Sequence, residues 1–400
     1  MKKTLLLLLF LCTTFFFAQQ ANQVKLSSEA YFSVITCSAG EELYSSFGHS
    51  AFRLQDPVYG YDVVYNYGTF DFDTPLFYVK FARGKLPYQL GRSSFRNFVR
   101  VYKYEKRWVK AQVLDLTPAQ VRQLFDYLEN NYKEENRNYK YDFFFNNCAT
   151  KKRDIIQENF GDAFIFHEDH LTETKTFRDL IHDNLDSNSW SSFGIDIALG
   201  AVIDKVAQPK EYQFLPEYVF KAFANATKQD GTPLVKETNL ILEAPENATR
   251  SKNILFSPYV VFSIFMLIIL IITFLDYKNN KRSRWLDFTI LLVNGIAGIV
   301  ILLLWFATDH TATYTNMNVL WLFAPNVWFA FKFLSKNEHS SLWMYTTLLL
   351  ALLVLLLFFW LIDFQQFALA AIPLLIALAV RYVYLVYYFR RLKEDSYDTK

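Results

Sequence analysis

The stretch Tyr139–Ile156, YKYDFFFNNCATKKRDII, decides how the first half of this chain is read. Tyr141–Phe145 is an aromatic run that reads as a strand. Asn146-Asn147-Cys148 ends it. From Ala149 to Phe160 the residues Ile155, Ile156 and Phe160 fall on one face, which predicts a helix whose first turn holds the cysteine. A helix N-terminus favours a thiolate through its dipole and its free N–H groups, and the Cys148 N–H could itself face a developing oxyanion.

Towards the N-terminus, residues 31–36, 50–54 and 61–67 read as strands, with Asp56–Gly60 as the turn between the last two. In Ser46–Leu54, SFGHSAFRL, His49 stands at the start of a strand. A neighbouring imidazole can take the thiol proton and return it to a leaving group. In the hairpin register that the turn implies, His49 opposes Gly68 and Ala51 opposes Asn66. Asn66 then shares the face of His49 and could orient its ring, while a slip of one residue would substitute Tyr65 or Tyr67. Ser94–Tyr102 has helical spacing and Val109–Leu116 reads as a strand. Thr117-Pro118-Ala119-Gln120 is a capping box opening a helix to about Tyr132. Further helices are expected near 173–183, 190–205 and 214–226, and residues 227–252 as a polar approach to the apolar second half of the chain.

Ahead of this domain stands an export signal. Lys2 and Lys3 lead into an apolar run from Leu5 to Phe17, closed by Ala18, so residues 1–18 read as a signal peptide. Of the three cysteines in the chain, Cys12 lies inside that run. Cys37 and Cys148 therefore stand in an oxidising compartment as either a disulfide or thiols kept for chemistry. Residues 19–250 hold 27 Lys+Arg against 31 Asp+Glu, a balance that argues against a general nucleic-acid binder. One run departs from it: Lys80–Lys110 has ten basic residues and a single acid, either a solvated face or an attraction to anionic headgroups. His167 and His170, flanking Glu168 and Asp169, read as a solvated turn rather than a metal site, and no cofactor is expected.

From Asn253 onward the chain is built of apolar runs. A hydrocarbon core of ~30 Å needs ~20 apolar helical residues, which 254–275, 288–307, 342–362 and 367–389 supply. The segment 317–334 is shorter and interrupted by Pro325 and Asn326. Positive residues crowd the loops around 276–287, around Ser335 and in the tail, and are missing from 308–315 and 363–366. That alternation predicts five spans, with the first domain outside and the C-terminus inside. Polar Asn316, Asn318 and Asn326, with His310 just before them, would either bond between helices, with Gly295 and Gly298 allowing close approach, or line a lipid groove.

The fold class these readings define is an α+β exported domain, residues 19–252, followed by an all-α five-helix membrane domain, residues 253–400. Here the chain resembles a known family. SFGHSAFRL, VVYNYGTFDF, the TPAQ helix start, YKYDFFFNNCATKKRDII and, in the membrane half, DHTATYTNMNVLWLFAPN look like the Bacteroidota lipoprotein N-acyltransferase family (Lnb). A histidine on a strand ahead of a cysteine on a helix also resembles the circularly permuted papain-like enzymes, such as the lecithin:retinol acyltransferase group. The resemblance implies Cys148 as nucleophile, His49 as base and Asn66 as the third member. It implies a phospholipid donor, a diacylated lipoprotein acceptor and an inner-membrane enzyme with its catalytic domain in the periplasm. Substrate would then be met by Asn147, Tyr67, Arg92 and Arg96 on the exported side, and by His310, Asn316, Asn318 and Asn326 on the membrane side. Other readings of the same residues are a membrane-tethered cysteine hydrolase and a scaffold stapled by Cys37–Cys148.

Overall fold

A computed structural model describes residues 24–245, 254–336 and 341–398; the signal peptide expected at 1–18 lies outside them. The N-terminal domain is organised on a seven-stranded antiparallel sheet. In chain order it contains β1 (Tyr31–Cys37), β2 (His49–Asp56), β3 (Tyr61–Thr69), α1 (Phe77–Ala82), β4 (Pro87–Ser94), α2 (Phe95–Tyr104), β5 (Val109–Leu114), α3 (Pro118–Tyr132) and β6 (Asn138–Lys140). There follow α4 (Thr150–Phe160), the short β7 (Phe164–Ile165), α5 (Phe177–His182), α6 (Trp190–Ala198), α7 (Pro216–Ala224), β8 (Thr227–Lys228) and β9 (Val235–Leu242). The sheet order is β6-β4-β3-β2-β1-β5-β9, and β7 pairs with β8 apart from it.

Strand alternation gives the sheet two buried faces. Phe32, Val34, Phe52, Leu54, Tyr65 and Tyr67 pack against Leu124 and Leu128 of α3, Ile155 and Ile156 of α4, and Val219 and Phe223 of α7. On the other face Ile35, Cys37, Ala51 and Val64 meet Phe95, Phe98 and Tyr102 of α2. The β2–β3 register pairs Phe52 with Tyr65 and Arg53 with Val64, as the turn implied. Thr117 caps α3, its side chain accepting from the Gln120 N–H while Gln120 reaches back.

Three expectations need correction. Tyr141–Phe145 is not a strand but a turn closed between Asp142 and Asn146. Asp142 Oδ1 accepts the N–H groups of Phe144 and Phe145 at 2.9 and 3.0 Å, a side-chain bond that competes with the ladder. The strand is β6, just before it. Residues 235–242, expected as part of a polar approach, form edge strand β9 on β5; its outward-facing polar residues hide the pattern of a half-buried strand.

The third correction concerns 317–334. The C-terminal domain has α8 (Pro258–Lys278), α9 (Arg284–Phe306), α10 (Asn326–Leu334), α11 (Leu342–Leu361) and α12 (Ile372–Asp398). Among the described residues, four stretches are long and apolar enough to cross a membrane. The region 317–334 is not a continuous helix: a 3-10 turn at Met317–Leu320 and a bend lead into α10, which has nine residues. Its two ends nevertheless lie at opposite ends of the bundle. Asn316 bonds to the N-terminal domain, whereas the Phe333 carbonyl accepts from Arg282 in the α8–α9 connection. Gly295 and Gly298 let the broken segment lie against α9; a Cβ at Gly298 would sit 2.0 Å from the Leu322 carbonyl oxygen.

At the far end of the bundle Arg282, expected in a cytoplasmic loop, is buried together with three charges from the helices. Arg381 of α12 donates to Asp287 of α9 at 2.6 Å and to Asp276 of α8 at 2.8 Å, and Arg282 reaches Asp287 at 3.0 Å. Two arginines thus meet two aspartates, neutralising one another where water is excluded.

Candidate active site

β2 begins at His49, and the turn before α4 presents Cys148 to it. The cysteine stands two residues ahead of the helix rather than inside its first turn, a shift with a definite cause. Asn147 is buried, and its Oδ1 accepts the N–H groups of Ala149 and Thr150 at 2.8 and 2.9 Å. Its Nδ2 donates to the carbonyls of Phe143 and Phe214. Every polar atom of the Asn147 amide is thus committed to holding the cysteine turn, and none is free for substrate. Gly68 closes the space from β3: a Cβ there would lie 3.6 Å from that of Cys148.

His49 Nε2 and Asn66 Oδ1 are 2.6 Å apart. Because an amide oxygen can only accept, Nε2 carries the proton and Nδ1 is left for the thiol. Tyr102 of α2 lies over the His49 ring, with centroids 6.4 Å apart and planes 19° apart. Burial alone would push the Cys148 thiol up. The charge and hydrogen bond of His49, the charge of Lys152 and the Ser50 backbone N–H overcome it, and the thiol comes down to about 7. Cys37 shows the contrast: burial pushes it up to about 12, where it is a core thiol. Both cysteines are free.

Lys152 escaped the sequence reading. In the first turn of α4, it is fully buried, with its ammonium over the rings of Phe52 at 5.1 Å and Tyr67 at 4.8 Å. Burial pulls it down to about 7 against the opposing attraction of Cys148. A lysine among Ile155 and Ile156 on an apolar helix face was the available signal.

The remaining candidates separate into groups. Tyr67 is buried and donates its hydroxyl to Asn131 of α3, on the face away from Asn66. Arg92 is held by Glu129 at 2.6 Å and lies over Tyr132, whereas Arg96 is exposed on α2. Asn316 and Asn318 are buried and bonded to protein rather than lining a groove. The Asn316 amide donates to the Ile197 and Ala198 carbonyls at 2.8 and 3.1 Å. The Asn318 amide donates to Asp196 O at 3.0 Å, and its Oδ1 accepts the Trp321 indole N–H. Asn326 accepts the Tyr345 hydroxyl within the bundle. These asparagines clasp the two domains and pack helices. His310 lies elsewhere, its Nε2 3.2 Å from the Phe81 carbonyl oxygen. His167 bonds Thr227, and among the described residues no cluster of His, Cys, Asp or Glu could hold a metal ion.

Loop 307–316 completes the junction. The Asp309 N–H donates to Arg83 O, Lys140 pairs with Asp309 at 3.0 Å, and Thr311 donates to Asp142. Gly200 approaches so closely that a Cβ would sit 1.9 Å from the Tyr314 carbonyl oxygen. Arg178, fully buried, forks onto Asp204 and reaches Asp196, fixing the segment that the asparagines grip.

A mixed α/β domain that sets a low-lying thiol against a histidine, bonded to a helical membrane domain, defines a class of membrane protein with its chemistry outside the bilayer. The chain belongs to the Lnb family: residues 16–182 match the family model described as the Lnb N-terminal periplasmic domain, and residues 249–392 the one described as the Lnb transmembrane domain. It is a multi-pass inner-membrane protein whose N-terminal domain lies in the periplasm. Neither a curated protein nor a solved structure matches the chain.

Proposed function

We propose that this protein moves an acyl chain from a membrane phospholipid, through a thioester on Cys148, to the α-amine of the S-diacylglyceryl-cysteine of a lipoprotein. The observation that carries the reading is the Cys148–His49–Asn66 arrangement, in the order of a permuted papain-like site, on a domain clasped to a membrane bundle. His49 Nδ1 takes the thiol proton, and the thiolate attacks the donor ester carbonyl. Collapse of the tetrahedral intermediate expels the glycerol oxygen, which takes the proton from His49 and leaves as lysophospholipid. The lipoprotein amine then attacks the thioester and gives its proton to His49. An amide forms, and the departing sulfur recovers that proton. Asn66 holds the imidazole in the tautomer that both steps need. A thioester divides one difficult transfer into two.

In this reading the polypeptide crosses the bilayer five times, the broken segment 317–334 making the third crossing. Cysteines introduced at Gln366 and Lys278 test it: an impermeant thiol reagent should label the first in intact cells and spare the second, and labelling at Lys278 would refute the topology. The function is tested by mass spectrometry of a lipoprotein N-terminus in cells with and without the protein, and with Cys148→Ser. The amide-linked chain should appear with wild type alone. A substrate that is instead cleaved, with no chain transferred, would make the protein a hydrolase using the same pair.

A further inference from the structure

A cavity of 340 Å³ lies at the junction of the two domains, within the size range of small-molecule sites. Its walls come from both. Phe47, two residues before His49, and Phe143, in the turn leading to Cys148, meet edge to face at 4.9 Å. Tyr141 stacks on Tyr88 at 4.2 Å and feels the charge of Cys148. The membrane half contributes the loop Asp309–Thr313. The acidic groups on this wall are already engaged, Asp309 by Lys140 and Asp142 by Thr311, so the space left is apolar.

The mouth has its own character. Phe81 of α1 stands at it, and no residue of α1 is buried. Phe72, Leu76 and Tyr78 are 70%, 73% and 79% exposed. The rings of Phe70, Phe72, Phe77 and Phe81 form a chain of contacts 5.0 to 6.4 Å apart. In water this would be an exposed apolar patch needing a partner. Its depth is set by the membrane domain: Arg83 and Phe81 carbonyls bond to Asp309 and His310, three and four residues past Phe306, the last residue of α9. The patch therefore sits level with the periplasmic end of a spanning helix. Lys80, Arg83 and Lys85 flank the rings, aromatic residues with basic neighbours being the composition of an interfacial anchor.

We infer that the aromatic turn 70–82 dips into the outer leaflet and that the cavity behind it takes one acyl chain of the donor phospholipid, bringing its ester to Cys148. The inference rests on the acyl-transfer reading and names the site where that reading's donor binds. An acyl chain loses little on passing from a bilayer to an apolar cavity, whereas a peptide would bring polar groups that this wall cannot satisfy.

The experiment uses the full-length chain with Cys148→Ala, in phospholipid nanodiscs, so that binding is read without chemistry. The probe is a phospholipid with a diazirine at the end of one acyl chain, and cross-linked residues are mapped by mass spectrometry. Adducts are expected on Phe47, Phe143 and Ala312. Ala312→Trp, which fills the cavity, should lower the adducts on Phe47 and Phe143 about tenfold and leave those on the outer faces of α8 and α11 unchanged. Phe72→Asp with Tyr78→Asp, at exposed positions that folding does not need, should lower cavity adducts similarly. Adducts confined to the outside of the bundle would overturn the inference. So would indifference to both sets of substitutions, or labelling of these residues by a diazirine lipopeptide and not by the phospholipid. If wild type forms no thioester while the cavity still takes the chain, the transfer reading fails and the lipid site stands. If transfer proceeds with no chain in the cavity, the reverse holds.

Discussion

Cys148 is half ionised near neutral pH because positive charge beside it outweighs its burial, and this can be read directly. Its alkylation rate by iodoacetamide should rise with pH and reach half its maximum near 7. His49→Ala and Lys152→Met each remove a charge that favours the thiolate, so both should move the midpoint upward. A midpoint one pH higher leaves about tenfold less thiolate at any pH well below it. His49→Ala should also lower acyl transfer by roughly 10²–10⁴. A Lys152→Met protein with an unmoved midpoint would show that the ammonium does not act on the sulfur. His49, Asn66 and Cys148 were legible because local geometry places them: a strand start, a hairpin register and a helix start are all written in neighbouring residues. Lys152 was passed over despite its apolar helix face, and Asn147 was expected to meet substrate rather than to brace the cysteine turn. Their roles come from burial and from carbonyls at Phe143 and Phe214, a contact across the fold that spacing does not encode.

Among the elements, the clasp between α6 and the segment after α9 determines how the domains meet. Asn316→Ala or Asn318→Ala would leave buried carbonyls at residues 196–198 without their donors, at a cost of about 1–3 kcal/mol each. Thermal unfolding of the purified protein should report that loss, and limited proteolysis should show the junction opening before the bundle does. An unchanged melting temperature in the double variant would mean that these bonds do not hold the domains together. Elements with internal signals, such as the capped α3 and the β2–β3 hairpin, could be read from the chain. The Tyr141–Phe145 turn could not, since an aromatic run has the same composition in either conformation and the Asp142 side-chain bonds decide between them. Edge strand β9 and exposed α1 lack the one-sided burial that produces a period. Segment 317–334 was expected as one helix and is a broken one, because the break answers to packing on Gly295 and Gly298.

For the molecule as a whole, hydropathy was enough to separate a membrane half from an exported half. The cluster of Arg282, Arg381, Asp276 and Asp287 lay beyond that reading, since hydropathy along one helix does not pair its charges with those of another. It ties α8, α9 and α12 at the end remote from the N-terminal domain. Asp287→Ala would remove the carboxylate that Arg282 and Arg381 share, leaving Arg381 to Asp276 and Arg282 to the Phe333 carbonyl, and the loss expected from breaking a buried pair is about 3–5 kcal/mol. The bundle should then melt at lower temperature in detergent while the Cys148 alkylation midpoint stays where it is. A change in that midpoint would mean that the far end of the bundle and the thiol are coupled.

The clasp also bears on the order in which the chain can mature. Residues 196–201 emerge from the ribosome well before residues 312–318, yet their carbonyl and amide partners lie there. The periplasmic domain cannot close its lower surface until the second membrane helix has been inserted and the loop after it delivered to the same side. Until then the apolar wall around Phe143 stands open to water, in a nascent protein still engaged with the translocation machinery. An excised periplasmic domain is held permanently at that stage. It should therefore self-associate when produced alone, and become monodisperse when the membrane half is supplied as a separate polypeptide.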